Sequence, residues 1–282
     1  MLKFFLFLIP LSCSIWAAEP VVTEIVKGMK FVESPVWDSQ KNILYFSDTQ
    51  DDKFYQWTES EGAKVVRTPA GKPNGNRLAK DGKLYTCEHW GRRVAVSENG
   101  TAKTLVDSYE GKKLNSPNDC TLKSDGTLWF TDPIWGLEGR AKEQEGSFVY
   151  SVDLKSNMIK AMIKTRKGPN GIAFSPDEKW LYIGDSGKVY KYPVSADNSL
   201  GEPELFINRI SADGFRTDSK GNLYIAIRGP VKEIGIRIYD PAGKLLQKIP
   251  LSEPTTNLCV VEDKVLTLYA STLTKVFKIE LK

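Results

Sequence analysis

Six times along the chain a polar turn runs into a leucine followed by alternating apolar and polar positions. The stretches are NILYFSD from Asn42, DGKLYTCE from Asp81, DGTLWFTD from Asp125, EKWLYIGD from Glu178, GNLYIAIR from Gly221 and DKVLTLYA from Asp263. Period-two alternation bounded by Asp-Gly or Gly-Asn turns predicts strands and hairpins rather than helices. With the leucine as anchor, Leu44, Leu84, Leu128, Leu181, Leu223 and Leu266 are spaced by 40, 44, 53, 42 and 43 residues. One such period carried through a whole chain, with almost no helix-period stretch, is the pattern of propeller blades of four antiparallel strands. Six anchors therefore predict an all-β, six-bladed β-propeller. The long spacing between Leu128 and Leu181 requires an insertion, and WGLEGRAKEQEGS from Trp135 supplies it as an extended loop near the site.

Counting back 9 to 11 residues from each anchor reaches Glu33, Asn74, Asn118, Asn170, Asp213 and Asn257. The strand leading into each hairpin is expected to be innermost, so these six oxygen-bearing side chains would converge on one end of the central channel. Three of them lie in Pro-Asn segments, KPNGNRLA, SPNDCTLK and GPNGIAFS. Turn chemistry accounts for any one Pro-Asn-Gly. It does not account for Glu33 and Asp213 at the same place in VESPVW and SADGFR. A second register, four residues after the anchor, holds Asp48, Glu88, Asp132 and Asp185. These carboxylates are expected just outside the ring, where they either orient its amides, as outer groups do at metal sites, or make ordinary blade-to-blade hydrogen bonds.

Two carboxylates and several amides form a hard oxygen-donor set for one divalent cation in the channel, Ca²⁺ ahead of Zn²⁺, Mn²⁺ or Mg²⁺. A cation held by Glu33, Asn118, Asn170 and Asp213 would polarise a carbonyl while a ligand carboxylate assists attack, which points to ester or lactone hydrolysis. The single histidine, His89 in TCEHWGRR, excludes a two-His zinc site, and no Gly-x-Ser-x-Gly elbow supports a triad. His89 is left with either a substrate contact at the channel mouth or a structural hydrogen bond. No phosphate-binding loop or dinucleotide fingerprint is present.

Composition narrows the setting. The 282 residues are 41% hydrophobic and 11% aromatic, enough for a substantial core. A net charge of +4 without a long basic run argues against nucleic acid as partner. Residues 1–18, MLKFFLFLIPLSCSIWAA, have the lysine, apolar run and small terminal residues of a secretory signal peptide, too short for a membrane span. That leaves 19–282 as one propeller domain, secreted or periplasmic, with no membrane span and no obligate protein partner evident. Lipid attachment at Cys13 is the alternative, although PLSC matches a lipoprotein signal poorly. The remaining Cys87, Cys120 and Cys259 are odd in number with small or apolar neighbours, and read as buried packing residues.

The set ESPVWD, PNGN with DGKLYTCEHWGRRV, SPND with DGTLWFTDP, PNGIAFSPDEKWLY, ADGFR with GNLY, and LSEPTTN resembles one family over about residues 20 to 280. It is similar to the gluconolactonase branch of the senescence marker protein, gluconolactonase and luciferin-regenerating enzyme family. The resemblance implies one divalent metal in the channel and hydrolysis of a sugar lactone. It implies Glu33, Asn170 and Asp213 as metal ligands, with Asn118 completing the site or touching substrate and Asp213 also the acid-base residue. Asn74, His89 and Asn257 then stand as substrate-side candidates. Ser34 departs from the glycine that usually follows the glutamate, and Ser116 from an arginine that contacts substrate in animal members. Two other functions fit the same ring: a different esterase or organophosphate hydrolase, or a non-catalytic propeller binding carbohydrate or protein around a structural Ca²⁺. The mature chain is expected to begin near Glu19. N-terminal sequencing of the secreted or periplasmic fraction checks this, and an intact Met1 in cytoplasmic protein would refute it.

Overall fold

The computed structural model describes residues 19–98 and 101–282; the expected signal peptide, with Cys13, lies outside them. Six four-stranded antiparallel sheets follow one another around an axis. Each anchor leucine lies on the second strand of its sheet, for example Leu44 in Ile43–Asp48 and Leu181 in Trp180–Asp185. The innermost strands are Val32–Asp38, Pro73–Leu78, Cys120–Leu122, Pro169–Phe174, Ala212–Thr217 and Thr255–Glu262, which define blades one to six. A two-stranded hairpin, Ser108–Tyr109 with Lys112–Lys113, joins blades two and three.

Alternation along the strands sets the packing. Each sheet turns one apolar face to the blade before it and the other to the blade after it, so the core is divided among the blade interfaces. Between blades three and four, Trp129, Val149 and Ile163 meet Ile172, Phe174 and Leu181. Between five and six, Tyr224, Ile236 and Ile238 meet Leu258, Leu268 and Phe277. Cys87 and Cys120 pack in the interface of blades two and three and Cys259 in that of six and one, all three as free thiols. The insertion after Asp132 spans 133–146 with a short 3-10 turn at Trp135–Leu137, and connects the second and third strands of blade three.

The ring closes by shared strands. The outermost strand of blade six is Val21–Val26, from the other end of the described chain, paired antiparallel with Val276–Leu281. Val26 is buried between blades six and one beside Val32, Tyr269 and Val276, and Ile25 packs partly buried against the same cluster. A mature chain starting at Lys27 leaves the Val276–Leu281 edge unpaired. With net hydrogen bonds worth about 1 kcal/mol each and one buried valine lost, it should be less stable by about 3–5 kcal/mol. A thermal melt checks this, and an unchanged melting temperature would show that the closure contributes nothing.

Candidate active site

Five of the six inner strands carry a register shift at the ring residue. In blade one Glu33 pairs with Ser47 and Val36 with Tyr45, so Ser34 and Pro35 together oppose the single residue Phe46. The same shift occurs between Pro73 and Asn76, Pro169 and Ile172, Ala212 and Phe215, and Thr255 and Asn257. In blade three, Asn118 N donates to Thr131 O while Thr131 N donates to Asp119 O. Such bulges leave an unpaired residue and re-aim its side chain. Here they turn the ring residues out of the sheet alternation.

The glycine of Pro-Asn-Gly serves close approach rather than a turn. Gly75 N donates to Asn118 O at 2.7 Å, and a Cβ on Gly75 would collide with that carbonyl. A Cβ on Gly171 would strike Asp213 O, and one on Gly214 the Asn257 side chain. Ser34 holds the matching place in blade one at φ +41°, in the left-handed region that favours glycine. Its hydroxyl compensates by accepting from Asn76 N at 2.9 Å and Arg216 Nη2 at 3.2 Å.

Hydrogen bonding divides the ring in two. Asn118 donates one amide hydrogen to Asn74 Oδ1 and directs the other at His89 Nε2, both at 3.2 Å, and its Oδ1 is buried without a partner. Asn170 donates to Asp213 Oδ1 at 2.7 Å, while Asp213 Oδ2 accepts no hydrogen bond and has Arg228 Nε 3.4 Å away. Both hydrogen bonds of Glu33 fall on Oε2, from its neighbour Ser34 N and from Asn257 Nδ2. Asn74 and Asn257 are engaged at both ends: Asn257 Oδ1 accepts from Leu258 N, and Asn74 Nδ2 reaches Thr49 Oγ1. Four residues thus keep an oxygen free of hydrogen bonds: Glu33, Asn118, Asn170 and Asp213.

The ring is electrostatically unfavourable without a cation. Burial raises the carboxyl of Glu33 well above its ordinary value, and the charges of Asp213 and Asp119 add to the rise. Burial holds Asp213 up at about 6, against the lowering pull of Arg228 and of the Asn170 hydrogen bond. Burial pushes His89 down to about 4, so it is neutral at pH 7 and its Nε2 is an acceptor for the Asn118 amide. Asp119, which sequence reasoning passed over, forms a buried bidentate pair with Arg216 (2.9 and 3.1 Å) across the channel. Asp119 directly follows the ring residue Asn118, the place that Gly75, Gly171 and Gly214 hold in blades two, four and five, and Arg216 lies three residues after Asp213. A charged residue at the glycine place was the signal available.

The outer register fixes how the chain runs into the inner strands. Asp48 accepts from Lys30 N and Phe31 N, Asp132 from Asn115 N and Ser116 N, and Asp185 from Gly168 N, at 2.7–2.9 Å. In each case the donors lie shortly before the ring residue of the same blade. Glu88 is instead ion-paired with Arg67 and Arg93. Above the ring, Trp135 meets His89 edge-on at 5.6 Å, and a Cβ on Gly136 would crowd Ser116 and His89. Ser116 is buried, its hydroxyl bonded to Pro133 O, and Arg140 clamps the inserted loop to His89 O and Trp90 O. The inserted loop therefore packs on the ring. A surface cavity of about 260 Å³ lies elsewhere, between blades one and two near Tyr45, Phe54 and Leu84, and no ring residue lines it.

A six-bladed propeller whose channel ends in uncommitted buried oxygens belongs to the class that gathers polar chemistry on its axis. The chain belongs to the SMP-30/gluconolactonase/LRE-like family, whose model matches residues 31–274. It is 29% identical to a gluconolactonase of Zymomonas mobilis, over 92% of this chain and 80% of that one. A gluconolactonase structure from Xanthomonas campestris is 27% identical and superposes with a TM-score of 0.88 over 95% of this chain and 91% of its own. A calcium-binding protein, regucalcin, from Agrobacterium tumefaciens shares the fold at 19% identity, with a TM-score of 0.76 over 92% and 95% of the two chains.

Asp213 supplies a pH signature. Its carboxyl lies near 6 in the folded protein against an ordinary 3.8, so between those values the native state holds more protons than the unfolded chain and stability falls as pH rises. The stabilising contribution is complete below about pH 4 and lost by passage through about 6. In chelator-treated protein, Asp213→Asn removes that loss. Its melting temperature should gain on wild type from about pH 4 to 6 and then hold the difference, and a constant difference throughout would overturn the reading.

Proposed function

We propose that the protein is a metal-dependent hydrolase that opens a sugar lactone of the glucono-1,5-lactone type to the aldonic acid. The observation that carries this is the set of four free oxygens, from Glu33, Asn118, Asn170 and Asp213, at one end of the channel. Two carboxylates and two amide oxygens fit a hard divalent cation, with Ca²⁺ the best match. Among the described residues no three His, Cys, Asp or Glu side chains cluster as a metal site, and a set made half of amides does not need them to. The names of the Zymomonas and Xanthomonas relatives support the lactone, and that of regucalcin supports calcium.

These four residues would hold the ion, and the ion would supply Lewis acidity toward the lactone carbonyl. The chain's own groups do the rest. Asn118 is oriented by Asn74 and neutral His89, which use both its amide hydrogens and leave its oxygen to the channel. Asn257 steadies Glu33 and does not present its own oxygen. The Asp213 carboxylate takes a proton from the water that attacks the carbonyl carbon and returns it to the ring oxygen as the C–O bond breaks, so that this oxygen leaves as the hydroxyl of the opened acid. The inserted loop with Trp135 covers one side of the mouth. The same proposal includes a secreted or periplasmic location, which the signal-peptide pattern of residues 1–18 supports.

Hydrolysis of glucono-1,5-lactone, followed against the spontaneous rate, tests the reading. Chelation should abolish the enzymatic rate and Ca²⁺ restore it. Asp213→Asn keeps an oxygen for the ion but cannot accept the proton, so kcat should fall on the order of 10²- to 10⁴-fold at saturating metal. No metal binding by titration calorimetry, or full turnover by metallated Asp213→Asn, would sink the mechanism.

A further inference from the structure

Arg228 directly follows the second strand of blade five, Leu223–Ile227. Ile227 fills the place that carboxylates hold in blades one to four, so blade five has no outer carboxylate. The backbone of Arg228 is pinned by N–H donation to Ser211 O at 3.0 Å, two residues before Asp213. Its Nε lies 3.4 Å from Asp213 Oδ2, and its guanidinium sits over the ring of Phe31 at 5.3 Å. Phe31 precedes Glu33 by two residues and is itself held by Asp48. The side chain thus reaches from blade five past blade six to blade one, over the mouth of the ring. It is 46% exposed, and its terminal nitrogens have no hydrogen-bond partner among the described residues.

Holding the ion does not account for this residue. A cation beside a ligand oxygen repels the metal, and a half-exposed pair adds little stability. The charge balance points the same way. A divalent ion offsets Glu33 and Asp213, and Arg216 offsets Asp119 with Arg77 buried close to both; at the mouth, beside Asp213, Arg228 is a positive charge left over. Ser116 cannot supply a substrate contact from blade three, because its hydroxyl is buried on Pro133 O.

We propose that Arg228 is a substrate-binding residue, which shares Asp213 with the cation and donates its remaining N–H groups to the hydroxyl oxygens of a polyhydroxylated lactone. This deepens the lactone-hydrolase reading and rests on it. Arg228 sets selectivity for hydroxylated or acidic lactones over unsubstituted aliphatic ones.

The experiment compares wild type, Arg228→Met and Arg228→Lys on glucono-1,5-lactone and δ-valerolactone, with Ca²⁺ affinity measured in parallel by titration calorimetry. Loss of a charged hydrogen bond should lower kcat/KM of Arg228→Met on glucono-1,5-lactone by about 10- to 100-fold, chiefly through KM. δ-Valerolactone offers no hydroxyl and should lose less, so the preference between the two collapses. Arg228→Lys keeps the charge without the fork and should fall between. Ca²⁺ should bind Arg228→Met more tightly, by about two- to tenfold, because a neighbouring like charge is gone. Activity and metal affinity therefore move in opposite directions. If Arg228→Met keeps the wild-type ratio between the lactones, or binds Ca²⁺ more weakly, Arg228 is a structural brace and the proposal fails. If wild type loaded with Ca²⁺ opens neither lactone, the hydrolase reading itself falls.

Discussion

Everything at the centre of this molecule follows from six inner strands having to meet on one axis. Neighbouring backbones there come close enough to hydrogen-bond directly, as Gly75 N does to Asn118 O, and the space leaves no room for a Cβ at Gly75, Gly171 or Gly214. Ser34, the one serine in this set, tolerates its left-handed backbone because Asn76 and Arg216 bond its hydroxyl. The bulges answer the same constraint. A regular strand would send the ring residues along the sheet alternation into the blade interfaces, whereas one extra residue turns them to the channel.

Convergence creates an electrostatic problem that the channel solves in two layers. In the deeper layer Asp119 and Arg216 neutralise each other through two hydrogen bonds out of water, an arrangement stable only because both charges and their bonds are present together. In the ring above, burial and the charges of Asp213 and Asp119 raise the proton affinity of Glu33, burial and Asp119 raise that of Asp213, and no protein cation lies close enough to Glu33 to bond it. A site in this condition attracts either protons or a metal ion, and the amide oxygens of Asn118 and Asn170 favour the metal. Arg228 takes only part of the charge, since it stands at the mouth rather than in the ring.

The outer carboxylates show how support and chemistry are joined. Asp48, Asp132 and Asp185 each bind backbone N–H groups just before a ring residue, so the same register that frames the strands also sets where the ring begins. Burial pushes Asp132 up to about 7 even though two short backbone bonds favour its charged form. Glu88 departs from this use and is held between two arginines, while the loop next to it carries His89 and Trp90 to the mouth.

The sequence by itself determined the architecture and the composition of the ring. Period-two alternation between turns is a local property, its repetition at about forty residues survives without any contact being known, and pseudo-symmetry then places equivalent residues on one axis. Glu33 through Asn257 were legible for that reason. What the sequence left open depended on contacts between distant segments. Which ring residues keep a free oxygen was decided by partners as remote as Asn74 with Asn118 and Glu33 with Asn257. The pairing of Asp119 with Arg216, 97 residues apart, and the sharing of blade six between Val21–Val26 and Val276–Leu281 have no periodic signature at all. Arg228 breaks the register instead of following it. Its neighbour Asp213 and its platform Phe31 come together only when the blades close, because a repeat fixes what each blade contributes while only tertiary packing fixes which atoms are left without a partner.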